Sequence, residues 1–106
     1  MPTEKEEELH GVAGNGQVEE VRAPLSEGVD KDCMGGYYDT TPLSEAAKNG
    51  HVDVAKLLIY AGADINKEDI YGRTPLHIAV WEGHENIVKL LIEARADINE
   101  EDGQSP

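Results

Sequence analysis

The sequence predicts an all-α protein built from stacked helix-turn-helix units. When residues 41–73 are aligned with residues 74–106, 17 of the 33 positions are identical. A period of this length is typical of solenoids, in which each unit buries its apolar face only against its neighbours. The length of 106 residues and the hydrophobic content of 39% allow one modest core.

The first unit is the least regular. Residues 1–8 form an acidic segment without an apolar run, so they do not resemble a secretory signal. Residues 9–40 are a degenerate repeat, because Gly11, Gly14 and Pro24 interrupt its helical stretches. Each glycine costs about 1 kcal/mol, and an interior proline costs about 3 kcal/mol. A capping repeat with one face in water and a frayed or rebuilt repeat explain these departures equally well.

The second and third units, residues 41–73 and 74–102, carry clear helix signals. In the third unit, the Thr74 hydroxyl can cap a helix by accepting a free backbone N–H. Pro75 follows at the first helical position, where its missing N–H costs nothing. Gly83 supplies a left-handed stop after about two turns. The same signals recur 33 residues earlier, which predicts a short first helix in each unit.

A second helix is predicted in the third unit over residues 85–94, where apolar residues form a broad face. Residues 96–99 are then expected to lead into a turn. Arg95 stands where the second unit has the helix-stop residue Gly62, and positive φ costs a non-glycine residue about 1 kcal/mol or more. Residues 103–106 are either the C-terminal end or the opening of a truncated next repeat.

The repeat unit resembles the ankyrin repeat. Residues 69–79, Asp-Ile-Tyr-Gly-Arg-Thr-Pro-Leu-His-Ile-Ala, match the loop and first helix of that family, and residues 83–99 match its second half. The likeness is specific over residues 41–99. It implies a solenoid whose units are joined by β-turn loops. It also implies binding of another protein on the concave face, which consists of loop tips and the ends of the first helices.

The charge is strongly acidic, with 9 Lys and Arg against 22 Asp and Glu and a net charge of −13. Such a body repels nucleic acids and anionic membrane surfaces, and no apolar run reaches the roughly 20 residues of a membrane span. We therefore expect neither nucleic acids nor membranes among its partners.

The single cysteine, Cys33, excludes an internal disulfide and indicates an intracellular protein, cytoplasmic or nuclear. We expect a monomer.

No pattern in the sequence indicates catalysis. There is no Ser-His-Asp order, glycine-rich phosphate loop or His-Glu-x-x-His motif. Cys33 lies between Asp32 and Met34, with no neighbour that would activate its thiol. By the resemblance, His77 and His84 hydrogen-bond the loop backbone and do not bind a metal. We therefore expect no enzyme activity, no cofactor and no metal site.

The aromatic residues fall on one predicted surface. The resemblance places the surface-variable positions after the loop aspartate, before the Thr-Pro pair and at the end of the first helix. In this chain these positions hold Tyr37, Tyr38, Thr40, Lys48 and Asn49, and then Ile70, Tyr71, Arg73, Trp81 and Glu82. Tyr, Trp and Arg are enriched in binding hot spots, so we predict a partner-binding face here. Alternatively, the aromatic rings cover their own loops or pack against a further repeat.

Two asparagines raise the question of modification. Asn66 and Asn99 end the two Ala-Asp-Ile-Asn segments, with Leu58 and Leu91 eight residues before them. By resemblance, both look like targets of asparaginyl hydroxylation in animal ankyrin repeats. The simpler interpretation, which we favour, is that each side chain fastens its turn.

The sequence thus predicts a protein–protein interaction module. The alternative is a truncated or engineered ankyrin fragment with a purely structural role and no partner. The exposed residues differ between repeats, which favours binding. Residues 1–32 carry a net charge of −6 and would steer a partner with a basic patch. Solubility alone explains this acidity equally well.

Overall fold

The computed structural model describes the backbone of residues 3–36 and 38–101, and the side chains among them up to residue 95. Within these residues the chain forms six helices: α1 (Glu4–Gly14), α2 (Val18–Ser26), α3 (Pro42–Asn49), α4 (Val52–Tyr60), α5 (Pro75–Glu82) and α6 (Glu85–Glu101). The first helices α1, α3 and α5 pack side by side in an inner row, and α2, α4 and α6 form an outer row. The predicted all-α repeat fold is confirmed.

The loops between the units are short β-turn structures that contact one another. Gly35 and Thr40 exchange two backbone hydrogen bonds of 3.0 Å, and the backbone N–H of Asp69 donates to the carbonyl oxygen of Arg73 at 3.0 Å. The N–H of Ile70 donates to the carbonyl oxygen of Tyr38 at 3.1 Å. Neighbouring loops are therefore held together by their backbones, which places their side chains side by side.

The predicted caps are present at the first helices of the second and third repeats. Thr41 accepts the backbone N–H of Ser44 at 3.1 Å, and Thr74 accepts that of His77 at 3.3 Å. These bonds satisfy N–H groups that the first turn of a helix leaves free. At the other end, α3 stops at Gly50 with φ of +78° and α5 stops at Gly83 with φ of +79°.

The first repeat is folded, with both of its helices present, which favours the capping repeat over the frayed unit among the two interpretations. Helix α1 begins at Glu4, inside the segment 1–8, because Thr3 and Glu6 form a reciprocal capping box at its start. The helix therefore crosses the domain boundary predicted between residues 8 and 9. Leu9 and Ala13 on its inner side are completely buried.

Pro24 lies inside α2 without ending the helix, which continues to Ser26. The proline sits near the C-terminal end of α2, and its ring is fully buried. Burial of this apolar ring offsets part of the cost of the missing backbone hydrogen bond. The second helix of the degenerate repeat therefore keeps its place in the outer row.

Helix α6 differs from the prediction. It runs unbroken for 17 residues from Glu85 to Glu101, so the turn expected at residues 96–99 is wrong. The physical reason is Arg95. In the second repeat, Gly62 adopts φ of +96° just after α4, whereas an arginine at this position disfavours positive φ and continues the helix.

Candidate partner-binding surface

An open groove lies where the loops and first helices of the second and third repeats meet. Its volume is about 810 Å³. The residues that line it, here named the aromatic groove, are Tyr38, Thr40, Lys48, Tyr71, Gly72, Arg73, Leu76, His77, Ile78, Val80, Trp81 and Glu82. Seven of the ten residues expected from the sequence to bind a partner are thus in one place.

Four side chains form a cluster in this groove. The ring centroids of Tyr38 and Tyr71 lie 5.6 Å apart, with the rings tilted by 50°. The guanidinium carbon of Arg73 is 5.5 Å from the Tyr38 centroid and 5.3 Å from the Tyr71 centroid. Lys48 Nζ is 5.9 Å from the Tyr38 centroid. Cations at such distances are attracted to the face of an aromatic ring, so these contacts orient the four side chains.

The buried carboxylate of Asp69 positions Arg73. Asp69 Oδ2 accepts a hydrogen bond from Arg73 Nε at 2.7 Å. Asp69 Oδ1 accepts the backbone N–H groups of Tyr71 at 2.8 Å and Arg73 at 3.0 Å. Burial alone would raise the pKa of Asp69, but the three hydrogen bonds outweigh it and hold the pKa below its ordinary value of 3.8. The loop therefore presents Arg73 in a defined orientation.

Asp69→Asn should make stability less dependent on pH. Because the pKa of Asp69 is lowered by folding, its contribution is present above its ordinary pKa and is lost as pH falls through the folded value. We expect the variant to be about 1 kcal/mol less stable near neutral pH, with the difference shrinking below about pH 4. Urea unfolding across this pH range measures it. Asp53→Asn, at an exposed site on α4, is the control, and a pH-independent difference for Asp69→Asn would contradict the assignment.

The apolar part of the groove is open to solvent. Trp81 is 85% exposed, Tyr71 65% and Val80 60%. In the second repeat, the position of Val80 is taken by Ala47, which is completely buried because α5 packs against α3. Among the described residues α5 is the last helix of the inner row, so Val80 stays in contact with solvent.

The sequence reasoning missed five of the lining residues, which are Gly72, Leu76, His77, Ile78 and Val80. Gly72 has no side chain to attract notice, and the rule of variable positions skips the body of α5, where the other four side chains are assigned to packing within the stack. Val80 offered a signal, since a larger apolar residue stands where the preceding repeat has Ala47.

The other predicted residues have different surroundings. Thr40 is only 4% exposed, and its hydroxyl donates to Glu45 Oε2 at 2.6 Å, so it serves mainly the fold. The Asn49 side chain donates to the carbonyl oxygen of Gly14 at 3.0 Å and thereby joins the first repeat. Ile70 is 56% exposed but does not line the groove. Tyr37 lies outside the described residues.

A comparison with known families identifies the repeats. The sequence model for ankyrin repeats, in three copies, matches residues 9–102. The chain belongs to the ankyrin-repeat family. The matched range spans the three helix pairs of the fold from residue 9 onwards and includes the degenerate first repeat.

Two curated relatives contain similar ankyrin repeats. The palmitoyltransferase Hip14 of Drosophila melanogaster is 38% identical over 64 residues, or 60% of this chain and 10% of the relative. The mouse palmitoyltransferase ZDHHC13 is 39% identical over 56 residues, or 53% of this chain and 9% of the relative. The chain thus spans about a tenth of the length of these relatives.

Two histidines, His77 and His84, hydrogen-bond backbone groups, although the acceptor of His84 lies in α3 and not in a loop as the resemblance implied. His84 Nε2 donates to the carbonyl oxygen of Lys48 at 3.1 Å, and His77 Nδ1 accepts the backbone N–H of Thr74 at 3.2 Å. His84 thereby connects the third repeat to the second. In the described part of the chain, no group of three or more His, Cys, Asp or Glu residues is arranged to hold a metal ion.

Cys33 is buried in the core, and its Sγ donates to the carbonyl oxygen of Glu6 at 3.6 Å. Burial raises the pKa of this thiol to about 11, which keeps it protonated near neutral pH. Among the described residues, no helix combines the length and apolar character needed to cross a bilayer.

The turn after α4 is stabilised by Asp64 and not, as expected, by the side chain of Asn66. The Asp64 carboxylate accepts the backbone N–H of Asn66 at 2.9 Å, whereas the Asn66 side chain is exposed and forms no hydrogen bond within the described residues. The prediction that Asn66 fastens this turn with its side chain is therefore wrong. Asn99 falls in α6, where the structure describes only the backbone.

Proposed function

We propose that this chain is a non-catalytic module that binds a partner protein in the aromatic groove. Ankyrin repeats are in general protein–protein interaction modules, and the family match covers most of the chain. The observation that carries the proposal is the exposure of Trp81, at 85%, beside the exposed side chains of Tyr71 and Val80. Contiguous apolar surface of this kind in a folded protein indicates an interaction site.

The Trp81 side chain is also unnecessary for stacking. The equivalent residue in the second repeat is Lys48, so the fold accommodates a charged residue at the same position. A buried indole contributes a large apolar area together with an N–H donor. These properties support a role for Trp81 in binding, because it adds little to the stability of its own repeat.

Trp81→Ala should weaken binding of the partner by about thirtyfold, which corresponds to the roughly 2 kcal/mol that defines a hot spot. Tyr60→Ala is the matched control, because Tyr60 is an aromatic residue that is 80% exposed on α4, outside the groove. The measurement begins with affinity capture on the unmodified chain. Each captured protein is then tested for binding to both variants, after circular dichroism has shown that they are folded.

Equal binding by the Trp81 and Tyr60 variants would contradict the groove assignment. Failure to capture any partner would favour the alternative of a fragment with a purely structural role.

The acidic exterior supports a partner that also has a basic patch, in which case added salt should slow association. We also propose that the chain is a monomer inside the cell, in the cytoplasm or nucleus, and needs no cofactor.

Asn66 remains a proposed site of hydroxylation. Its side chain is exposed and free of hydrogen bonds within the described residues, which supports access by a modifying enzyme. The same proposal for Asn99 rests on sequence resemblance alone. Mass spectrometry of protein from animal cells should show the gain of one oxygen at these asparagines, and unmodified peptides would contradict the idea.

A further inference from the structure

The aromatic groove has a distinct electrostatic character within an acidic chain. The chain carries a net charge of −13, yet two cations lie against one ring in the groove. Lys48 Nζ is 5.9 Å and Arg73 Cζ is 5.5 Å from the centroid of Tyr38. Lys48 forms no ion pair with any carboxylate in the described residues, where the pairs are Lys5–Glu27, Arg22–Glu19 and Arg73–Asp69.

We propose that the aromatic groove binds an extended peptide segment of a partner protein that carries one aspartate or glutamate. The carboxylate of this segment lies between Lys48 and Arg73, and a neighbouring apolar side chain packs on Trp81. This inference rests on the proposed function, because it specifies the chemistry of the partner at the same site.

The hydrogen bonds of Arg73 support this assignment. Arg73 uses Nε to bind Asp69, and its terminal Nη groups make no hydrogen bond or ion pair within the described residues. A guanidinium has five N–H donors in a fixed plane, so the Nη groups remain available for an incoming carboxylate. Since Asp69 and the two tyrosine rings already orient Arg73, a ligand would lose little affinity to the ordering of this side chain.

The charges around Tyr38 favour a single carboxylate. Lys48 and Arg73 supply two positive charges, and the buried Asp69 cancels one of them. Glu82 also lines the groove but forms no ion pair with either cation in the described residues. With Asp69 and Glu82 both counted, these four charges cancel, so the attraction is local: Lys48 and Arg73 beside Tyr38 can hold one carboxylate, whereas a run of acidic residues or a dianionic phosphate would be repelled by the acidic surroundings.

The size of the groove suits a short peptide segment. Its volume of about 810 Å³ falls within the usual range for pockets that enclose a small ligand. A few side chains of an extended segment fill this space, with the apolar part of the ligand against Trp81 and Val80. The groove thus offers a charged contact and an apolar contact to adjacent positions of one peptide.

The test uses a displayed library of random linear peptides as the probe. Peptides are selected on the unmodified chain, and those that also bind Trp81→Ala are removed. We expect the remaining peptides to share one acidic residue next to an apolar residue. One such peptide is then synthesised in two forms, with its acidic residue intact or replaced by the matching amide, and the affinities are measured by fluorescence anisotropy.

Lys48→Gln should weaken binding of the acidic peptide by about fivefold and leave binding of the amide peptide unchanged. Lys56→Gln is the matched control, since it removes the same charge from an exposed site on α4 outside the groove. An equal effect of both lysine variants would overturn the inference, because it would reflect net charge and not a contact in the groove.

The outcomes separate this inference from the proposed function. Trp81-dependent peptides without a shared acidic residue, or an equal loss for both peptide forms with Lys48→Gln, would overturn the inference and leave groove binding intact. The absence of any peptide whose binding depends on Trp81 would overturn this inference, whereas the proposed function fails only if captured proteins bind the Trp81 and Tyr60 variants equally. An acidic residue shared by the selected peptides, together with a loss specific to the carboxylate form, supports the assignment.

Discussion

Leu58→Ala is expected to lower the free energy of unfolding by about 3 kcal/mol. Leu58 is completely buried in α4, the middle helix of the outer row, which packs against both α2 and α6. The substitution removes apolar atoms and leaves a cavity between repeats that cannot close without moving a neighbouring helix. Since a chain of this size is stabilised by about 5–15 kcal/mol, the loss is a large part of the total.

Urea unfolding followed by far-ultraviolet circular dichroism measures this effect. The matched control is Leu57→Ala, since Leu57 precedes Leu58 in the same helix but is only partly buried. We expect the control to cost about half as much or less. Equal losses at the two positions would show that α4 is less firmly packed between its neighbours than the burial of Leu58 indicates.

The features that were predictable from the sequence depend on chemistry within a few residues. Thr74 starts α5 because its side chain caps the first turn, and Pro75 helps because its φ is already helical. Gly83 ends the helix because glycine adopts positive φ easily. Each of these effects acts within a few residues. The repeat period then identified which helices are neighbours. For the same reason, the continuation of α6 has a local explanation in Arg95, although the prediction gave more weight to the pattern of the preceding repeat.

The parts that were not predictable depend on contacts between repeats. The sequence placed Thr40 and Asn49 on the binding face, but Thr40 bonds to His10 of the first repeat and Asn49 bonds to Gly14 of the same repeat. A position-based rule cannot tell which polar side chain finds a partner in the next repeat. Nor could it show that Lys48 and Arg73, from two different repeats, meet at the same tyrosine ring.

The hydrogen bonds that hold the second and third repeats together also shape the groove. The backbone bond from Ile70 to Tyr38 aligns two loops and thereby brings Tyr38 beside Tyr71. The bond from His84 to Lys48 fixes the end of α3, from which the Lys48 side chain reaches Tyr38. Contacts that stabilise the joint between the second and third repeats therefore also position the side chains proposed to bind a partner.

Gly50→Ala should destabilise the chain by about 2–3 kcal/mol, and Gly83→Ala by about 1 kcal/mol. The two glycines end equivalent helices at nearly the same φ, +78° and +79°, so both variants place an alanine in the left-handed region. Their surroundings differ. A Cβ at Gly50 would lie 2.9 Å from ring atoms of His84, whereas a Cβ at Gly83 would have nothing within 4 Å.

The extra cost at Gly50 should come from displacement of the His84 ring, which would lose its hydrogen bond to Lys48 and its contact with the second repeat. Urea unfolding of both variants, alone and combined with His84→Ala, tests this cause. In the His84→Ala background, Gly50→Ala should cost no more than Gly83→Ala, because only the backbone strain remains. If the excess persisted without the imidazole ring, the joint between these repeats would not depend on His84 packing against Gly50.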